Sequence, residues 1–209
     1  MMKLNEGERI EDLQCRGLKI IQNQNWFCFG MDAVLLANYC QIKDGEEVVD
    51  LGTGTGIIPI LLYGKNNLKK IYGIELQKEV AEMAQRSVSL NNIEKHIEIL
   101  NINIKDYRQY LKKNHFDTVV TNPPYIKTTS NLISPEKKKA ISRYEVEGNL
   151  EDFIKTGSEL LKHRGKFFMV YRPDRLVEVF GLMKKYKICL LYTSTSPRDR
   201  QKSRMPSSA

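Results

Sequence analysis

The chain has 209 residues, of which 41% are hydrophobic and 28% charged, with a formal net charge of +8 at pH 7. That length and balance give a globular domain with a sizeable core and exclude disordered and fibrous chains, while the positive charge favours an acidic partner such as nucleic acid. No apolar run approaches the roughly 20 residues of a membrane span, the charged start Met1-Met2-Lys3-Leu4-Asn5-Glu6-Gly7-Glu8 lacks a signal-peptide core, and Cys15, Cys28, Cys40 and Cys189 show no C-x-x-C spacing, so reduced thiols in a cytoplasmic protein without a metal centre are expected.

Residues 1–40 read as a lead-in. Leu18-Lys19-Ile20-Ile21-Gln22 suits a short strand, Asn23-Gln24-Asn25 a turn, and Trp26-Phe27-Cys28-Phe29 is an aromatic run. Asp32 can cap a helix through Ala33-Val34-Leu35-Leu36-Ala37. Two readings stand for this helix: it covers a sheet edge, or Phe29, Gly30 and Asp32 close over a cofactor.

The domain proper spans residues 41–188. Glu47-Val48-Val49 reads as a buried strand and Ile57-Ile58-Pro59-Ile60-Leu61-Leu62 as the opening of a buried helix. Between them lies Asp50-Leu51-Gly52-Thr53-Gly54-Thr55-Gly56. A strand, glycines at alternate positions and a helix make a ligand-binding turn, because glycine permits positive φ and the helix start presents N–H groups. The G-x-G-x-G spacing differs from the G-x-G-x-x-G of dinucleotide sites. A second strand, Ile71-Tyr72-Gly73-Ile74-Glu75, ends on a carboxylate nineteen residues past Gly56, placed to hold ribose hydroxyls.

Residues 77–91 put Val80, Met83, Ala84 and Val88 on one helical face, with Glu82 and Arg86 at pairing distance along the helix and Asn91-Asn92 as its stop. Ile97-Glu98-Ile99-Leu100 is a third strand, followed by Asn101-Ile102-Asn103-Ile104-Lys105-Asp106. Phe116-Asp117-Thr118-Val119-Val120-Thr121 is a further strand that runs into Asn122-Pro123-Pro124-Tyr125. Residues 126–149 form a long polar insertion carrying Lys127, Lys137-Lys138-Lys139 and Arg143, either a solvated loop or a phosphate-contacting patch. Asn149 and Asp152 mark a helix start with Leu150, Phe153, Ile154, Gly157 and Leu161 on one face and Gly165 as its end. Phe167-Phe168-Met169-Val170 is a buried strand, and Pro173 opens a helix through Leu176, Val177, Phe180 and Met183. The alternation predicts an α/β fold with a mostly parallel, doubly wound sheet. Ligands of such sheets sit beyond the carboxyl ends of the strands. His96, His115 and His163 are scattered and read as surface or structural.

Glycine turn, ribose carboxylate and Asn-Pro-Pro-Tyr, in that order, resemble the class I S-adenosylmethionine (SAM) methyltransferases that modify an amide or amino nitrogen. The resemblance implies a Rossmann-like sheet and SAM as cofactor, held by Asp50, Gly52, Thr53, Gly54, Gly56, Glu75, Leu76 and Asn122. Asn103 falls where the class usually places an acid against the cofactor adenine, and its carbonyl can still accept that bond. Asn122 and the Pro123 carbonyl would accept the two N–H groups of the target nitrogen, and Tyr125 would stack on a planar base, so these three are the catalytic candidates. No metal is needed.

Phe29-Gly30-Met31-Asp32-Ala33-Val34-Leu35-Leu36-Ala37, and Ser142-Arg143-Tyr144-Glu145 with Leu150-Glu151-Asp152, resemble the valine-tRNA adenine-N(6) methyltransferase family over roughly residues 13–188. This implies tRNA as partner, with Tyr125, Lys127, Lys137, Lys138, Lys139 and Arg143 toward it, and a monomer without membrane contact. Release-factor glutamine methyltransferases share Asn-Pro-Pro-Tyr, but their Glu-Pro segment after the loop is absent here. A SAM- or RNA-binding protein without turnover is a third reading. Residues 189–209, rich in Ser, Pro and Arg, resemble an in-frame translation of a sequencing-library adapter. They are expected to be a non-native, disordered tail standing where the class has its C-terminal antiparallel hairpin.

Overall fold

The computed structural model describes residues 4–24, 29–124 and 149–191. An antiparallel hairpin of β1 (Glu8–Asp12) and β2 (Lys19–Asn23) leads into α1 (Met31–Tyr39). Then come β3 (Glu47–Leu51), α2 (Ile57–Lys65), β4 (Lys70–Glu75), α3 (Lys78–Leu90) and β5 (Ile97–Asn101). A 3₁₀ segment (Ile104–Gln109), β6 (Phe116–Thr121), α4 (Leu150–Leu160), β7 (Leu161–Met169), a 3₁₀ turn (Pro173–Arg175) and α5 (Leu176–Lys185) complete the described order.

The main sheet has five parallel strands in the order β5-β4-β3-β6-β7. The chain enters at the central strand, winds outward through β4 and β5, and returns to the other side with β6 and β7. The direction of winding reverses between β3 and β6, and such a switch point opens a crevice at the carboxyl ends of the two strands. Parallel strands covered on both faces must be apolar on both sides. Val48, Val49 and Leu51 of β3 are all fully buried. Alternation sends Val48 and Ile71 into the cluster with Ile60, Leu62 and Val88 from α2 and α3, while Val49, Leu51 and Ile74 join Phe116, Phe153 and Leu160 on the α4 side. Each such side chain contributes roughly 1.5–3 kcal/mol by burial. By the same alternation Asp50 and Glu75 project on the α2–α3 side.

The hairpin packs on α3. The Ile21 N–H donates to Ser87 Oγ (3.0 Å), the Lys19 N–H to Asn91 Oδ1 (2.8 Å), and Asn91 Nδ2 returns a bond to the Lys19 carbonyl. Arg86 pairs with Glu8 across this interface rather than with Glu82, which faces Lys78 instead. Gly64 of α2 is needed there, since a Cβ would lie 2.7 Å from the Leu18 side chain.

Several local expectations are corrected. Asn23 belongs to β2 and is buried, so the turn starts one residue later. The N-cap of α1 is Gly30, and Asp32 sits in its first turn. Helix α4 opens with a full Asn149–Asp152 capping box as read, but it stops at Leu160 and passes straight into β7. Gly165 does not end it. The register shift between Phe116 and Thr118 opens a bulge in β7, where Arg164 takes the positive φ of 62°. Helix α5 buries Val179 against α4, whereas Val177 is 88% exposed and Leu176 and Phe180 also face outward. The four α5 positions named from sequence therefore do not share one buried face.

Candidate active site at the carboxyl edge of the sheet

The glycine turn leaves the end of β3 as read. Gly52, Gly54 and Gly56 all take positive φ (73°, 57° and 84°), a region that costs any residue with a Cβ about 1 kcal/mol or more. The turn is pinned to β4: the N–H groups of Gly52 and Thr53 both donate to the Ile74 carbonyl at 2.9 Å. Space is tight beneath Gly52, where a Cβ would lie 3.0 Å from the Phe153 ring of α4, and open at Gly54, where it would meet nothing within 4 Å among the described residues. Gly56 caps α2 through its left-handed backbone, with no side chain capping that helix start. Pro59 in the first turn has no N–H to satisfy.

Two carboxylates share this edge and differ in their bonding. Glu75 is fully buried, and its Oε2 accepts the Gly54 N–H while Oε1 accepts the Gln77 N–H, both at 2.9 Å. It thus fastens the glycine turn to the end of β4 and to the start of α3, where Leu76 lies half-buried. Asp50 is also fully buried, yet among the described residues neither of its oxygens has a hydrogen-bond partner, and the buried Thr53 and Thr55 hydroxyls are likewise unpartnered there. Burial pushes the Asp50 carboxyl up to about 7; the adjacent Thr53 hydroxyl opposes the rise without closing a well-formed hydrogen bond, and the Glu75 charge adds to it. Burial, then the Asp50 charge, drive the neighbouring Cys40 thiol up to about 12, so it is an inert, protonated thiol.

Asn122 and the buried Pro123 follow β6. Thr121 is paired with Leu51, and its Oγ1 donates to the Leu51 carbonyl at 2.8 Å. That buried bond staples the start of Asn122-Pro123-Pro124 to the residue before the glycine turn. Because Leu51 also pairs with Ile74, and Glu75 with Asn101, the three sequence motifs line one edge. Neighbouring strands are about 4.8 Å apart, so Glu75 on β4 and Asn122 beyond β6 stand roughly 10 Å from each other across the glycine turn. Asn103 lies at the outer end of this row. Its side-chain carbonyl accepts the Lys105 N–H at 2.9 Å and caps the 3₁₀ segment. Tyr125, Lys127, Lys137, Lys138, Lys139 and Arg143 lie outside the described residues, as do Trp26-Phe27-Cys28. In the lead-in, the Phe29 N–H donates to Gln22 Oε1 (3.1 Å), which ties the start of α1 to the hairpin.

These residues fit SAM. Buried oxygens without donors suit a cationic ligand, Gly54 leaves room for close approach, and Glu75 and Asn103 are acceptors spaced along one edge. Among the described residues no group of three or more His, Cys, Asp or Glu could hold a metal ion, and no helix is long and apolar enough to cross a membrane. Sequence reading passed over Thr121, Phe153 and Thr55. Phe153 looked like a core residue of α4, and its contact with Gly52 depends on how the helix docks. The Thr121 staple was visible only as a strand's last polar residue.

Comparison with known proteins agrees with this geometry. The chain is 30% identical over 165 residues to a protein of Porphyromonas gingivalis described as tRNA1(Val) (adenine(37)-N6)-methyltransferase, covering 76% of this chain and 64% of that one. It is 29% identical over 148 residues to a Bacteroides fragilis protein of the same description, covering 69% and 60%. The chain thus spans about three fifths of the length of such curated relatives. A predicted O-methyltransferase from Agrobacterium tumefaciens superposes with a TM-score of 0.57 at 25% identity, over 73% of this chain and 67% of that one. The model of the methyltransferase small domain matches residues 19–189, which takes in the hairpin strand β2, the glycine turn and α5, and the chain belongs to that family.

Proposed function

We propose that this chain carries the cofactor site and the catalytic asparagine of a SAM-dependent methyltransferase that acts on the N(6) amine of an adenine in tRNA, beside the anticodon of a valine tRNA. One observation carries the reading: the glycine turn and Asn122-Pro123-Pro124 leave adjacent strands at the switch point, stapled by Thr121. The described relatives supply the substrate.

When bound, SAM supplies a methyl group already activated on a positively charged sulfur. The residues' task is to aim a poor nucleophile. The lone pair of an exocyclic amine is delocalised into its ring. The side-chain carbonyl of Asn122 accepts one N–H of that amine, and the Pro123 backbone carbonyl accepts the other. These bonds favour a more tetrahedral nitrogen and strengthen as it turns positive, which is stabilisation specific to the transition state. As the nitrogen–carbon bond forms, the carbon–sulfur bond breaks, and the extra proton on nitrogen passes to solvent. Pro123 and Pro124 stiffen the turn that presents the carbonyl. Tyr125 supplies a stacking face for the base, and the basic residues Lys127, Lys137, Lys138, Lys139 and Arg143 supply phosphate contacts. Asp50, Gly52, Thr53, Gly54, Gly56, Glu75, Leu76 and Asn103 hold the cofactor.

The test is methyl-labelled SAM offered in parallel to unmodified bulk tRNA and to a release factor. Label recovered as N(6)-methyladenosine after nuclease digestion is the expected result. Label in glutamine instead would overturn the substrate while keeping the role of Asn122, and SAM binding without any transfer would favour a binding protein.

A further inference from the structure

Asp50 is buried more completely than a charge without partners tolerates. It is fully buried, and among the described residues neither oxygen accepts a hydrogen bond. The titratable groups facing it are the Glu75 carboxylate from β4 and the Cys40 thiol beyond α1. Neither is a cation, and among the described residues no lysine or arginine pairs with it; Lys65 of α2 reaches Asn38 and acts on Cys40. From its other neighbour, β6, the paired residue is Val120. Glu75 presents the contrast, since it is equally buried but satisfied by two backbone N–H groups. An isolated buried carboxylate shifts toward its neutral form instead of bearing the cost of desolvation, and a second carboxylate nearby strengthens that choice.

The cofactor read into this site brings positive charge, on its sulfur and on the ammonium of its methionine end. We propose that Asp50 makes cofactor loading proton-linked: in the empty glycine turn its carboxyl holds a proton, which leaves for solvent as the cationic methionine end enters. The inference rests on the SAM reading. In the step the Oδ–H bond breaks, the electron pair stays on Asp50 and a buffer base takes the proton. Burial, against Thr53 and with Glu75, sets the carboxyl near 7, so near neutral pH the empty site is partly protonated. Affinity then rises with pH, by up to about tenfold per unit below that value, and levels off above it. The Thr53 and Thr55 hydroxyls, unpartnered among the described residues, lie in the same turn.

Calorimetric titration of the full chain with S-adenosylhomocysteine, which keeps the ammonium, tests this at pH 6.5 in two buffers of different ionisation enthalpy. The expected result is release of about half to one proton per site, and no release with 5′-methylthioadenosine, which lacks the amino acid. Asp50→Asn should bind without proton release. Binding with no buffer-dependent heat, or equal release from D50N, would overturn the linkage while leaving SAM as cofactor. Failure of the wild-type chain to bind S-adenosylhomocysteine or SAM would overturn the cofactor reading, and the linkage with it. Should D50N not fold, the wild-type proton count and its absence with 5′-methylthioadenosine decide alone.

Discussion

The two ends of the central sheet handle charge in opposite ways. At the amino ends of the strands nearly every charged group has a partner. Glu47 faces His115 Nε2 at 3.2 Å and Lys69 at 3.5 Å, Asp117 accepts Lys162 Nζ at 2.8 Å, and Glu46 accepts the Thr118 hydroxyl at 2.8 Å with Lys166 beyond it. At the carboxyl ends, one buried carboxylate and two buried hydroxyls have none among the described residues. At the carboxyl end folding satisfies Glu75 and Thr121 but, among the described residues, not Asp50, Thr53 or Thr55. Unsatisfied buried polar groups destabilise a fold, and they persist where function needs them.

The largest effect expected at the open end is on chemistry. Asn122→Ala should lower methyl transfer by about 10²–10³-fold, the scale for loss of one oriented polar group in a transition state. Cofactor affinity, measured by calorimetry, should stay within about twofold of wild type. Parallel loss of binding and transfer would remove Asn122 from its assigned role.

Next is a stability effect with a defined sign. The Asp50 carboxyl lies near 7 in the fold against an ordinary 3.8. Between about pH 4 and 7 the folded state holds a proton that the unfolded chain does not, so stability falls as pH rises through that window and the penalty is complete above it. Asp50→Asn removes the titration. Thermal unfolding of the empty protein should show the variant gaining on wild type between pH 5 and pH 8, by an amount on the order of a few kcal/mol. Curves that stay parallel across those pH values would mean that Asp50 is ionised throughout.

A mutation between the two motifs tests whether they act as one unit. Thr121→Val keeps the shape and removes the buried hydroxyl bond to the Leu51 carbonyl, at about 0.5–1.5 kcal/mol. If the staple positions Asn122, kcat should fall further than the stability loss accounts for, while the KM for SAM changes little. Thr121→Ser should restore it.

What could be read ahead of the structure follows the same division between local and distant causes. The strands β3, β4 and β6 announce themselves as apolar runs closed by glycine, glutamate or Asn-Pro, and the motif order then fixes which edge they share. The Asn149–Asp152 capping box is local and was legible. β1 was not, because Glu8-Arg9-Ile10-Glu11-Asp12 looks like a charged terminus and becomes a strand only by pairing with β2. Arg86 had a plausible partner one helical turn away, and the fold supplied Glu8 instead. Asn103 reads as an acceptor for the cofactor adenine, and in the fold its carbonyl also caps its own 3₁₀ segment. Glu75 was read as a ribose ligand alone, and its two bonds to the backbone of Gly54 and Gln77 depend on the glycine turn folding back over β4. For that reason Glu75→Ala confounds stability with binding, and Glu75→Gln, which keeps one acceptor oxygen, is the sharper variant.

The smallest effect belongs to the closed end, and it is the control that gives the comparison its meaning. Lys162→Ala breaks the pair with Asp117 while Asp117 keeps the Glu47 N–H at 2.9 Å. The lysine side chain is 39% exposed, so solvent screens the pair and the loss should be no more than about 1 kcal/mol. Asp117 lies below the usual carboxylate range: burial works against ionisation, and the Glu47 N–H and Lys162 outweigh it. The contribution of the pair is therefore present above the carboxylate's unfolded value and fades as pH falls through its folded one, opposite in sign to the trend at Asp50. Cofactor affinity, proton release and transfer should all be unchanged, because the strands separate this pair from the glycine turn. A K162A chain that lost cofactor affinity as strongly as it lost stability would show that the two ends are coupled through the sheet.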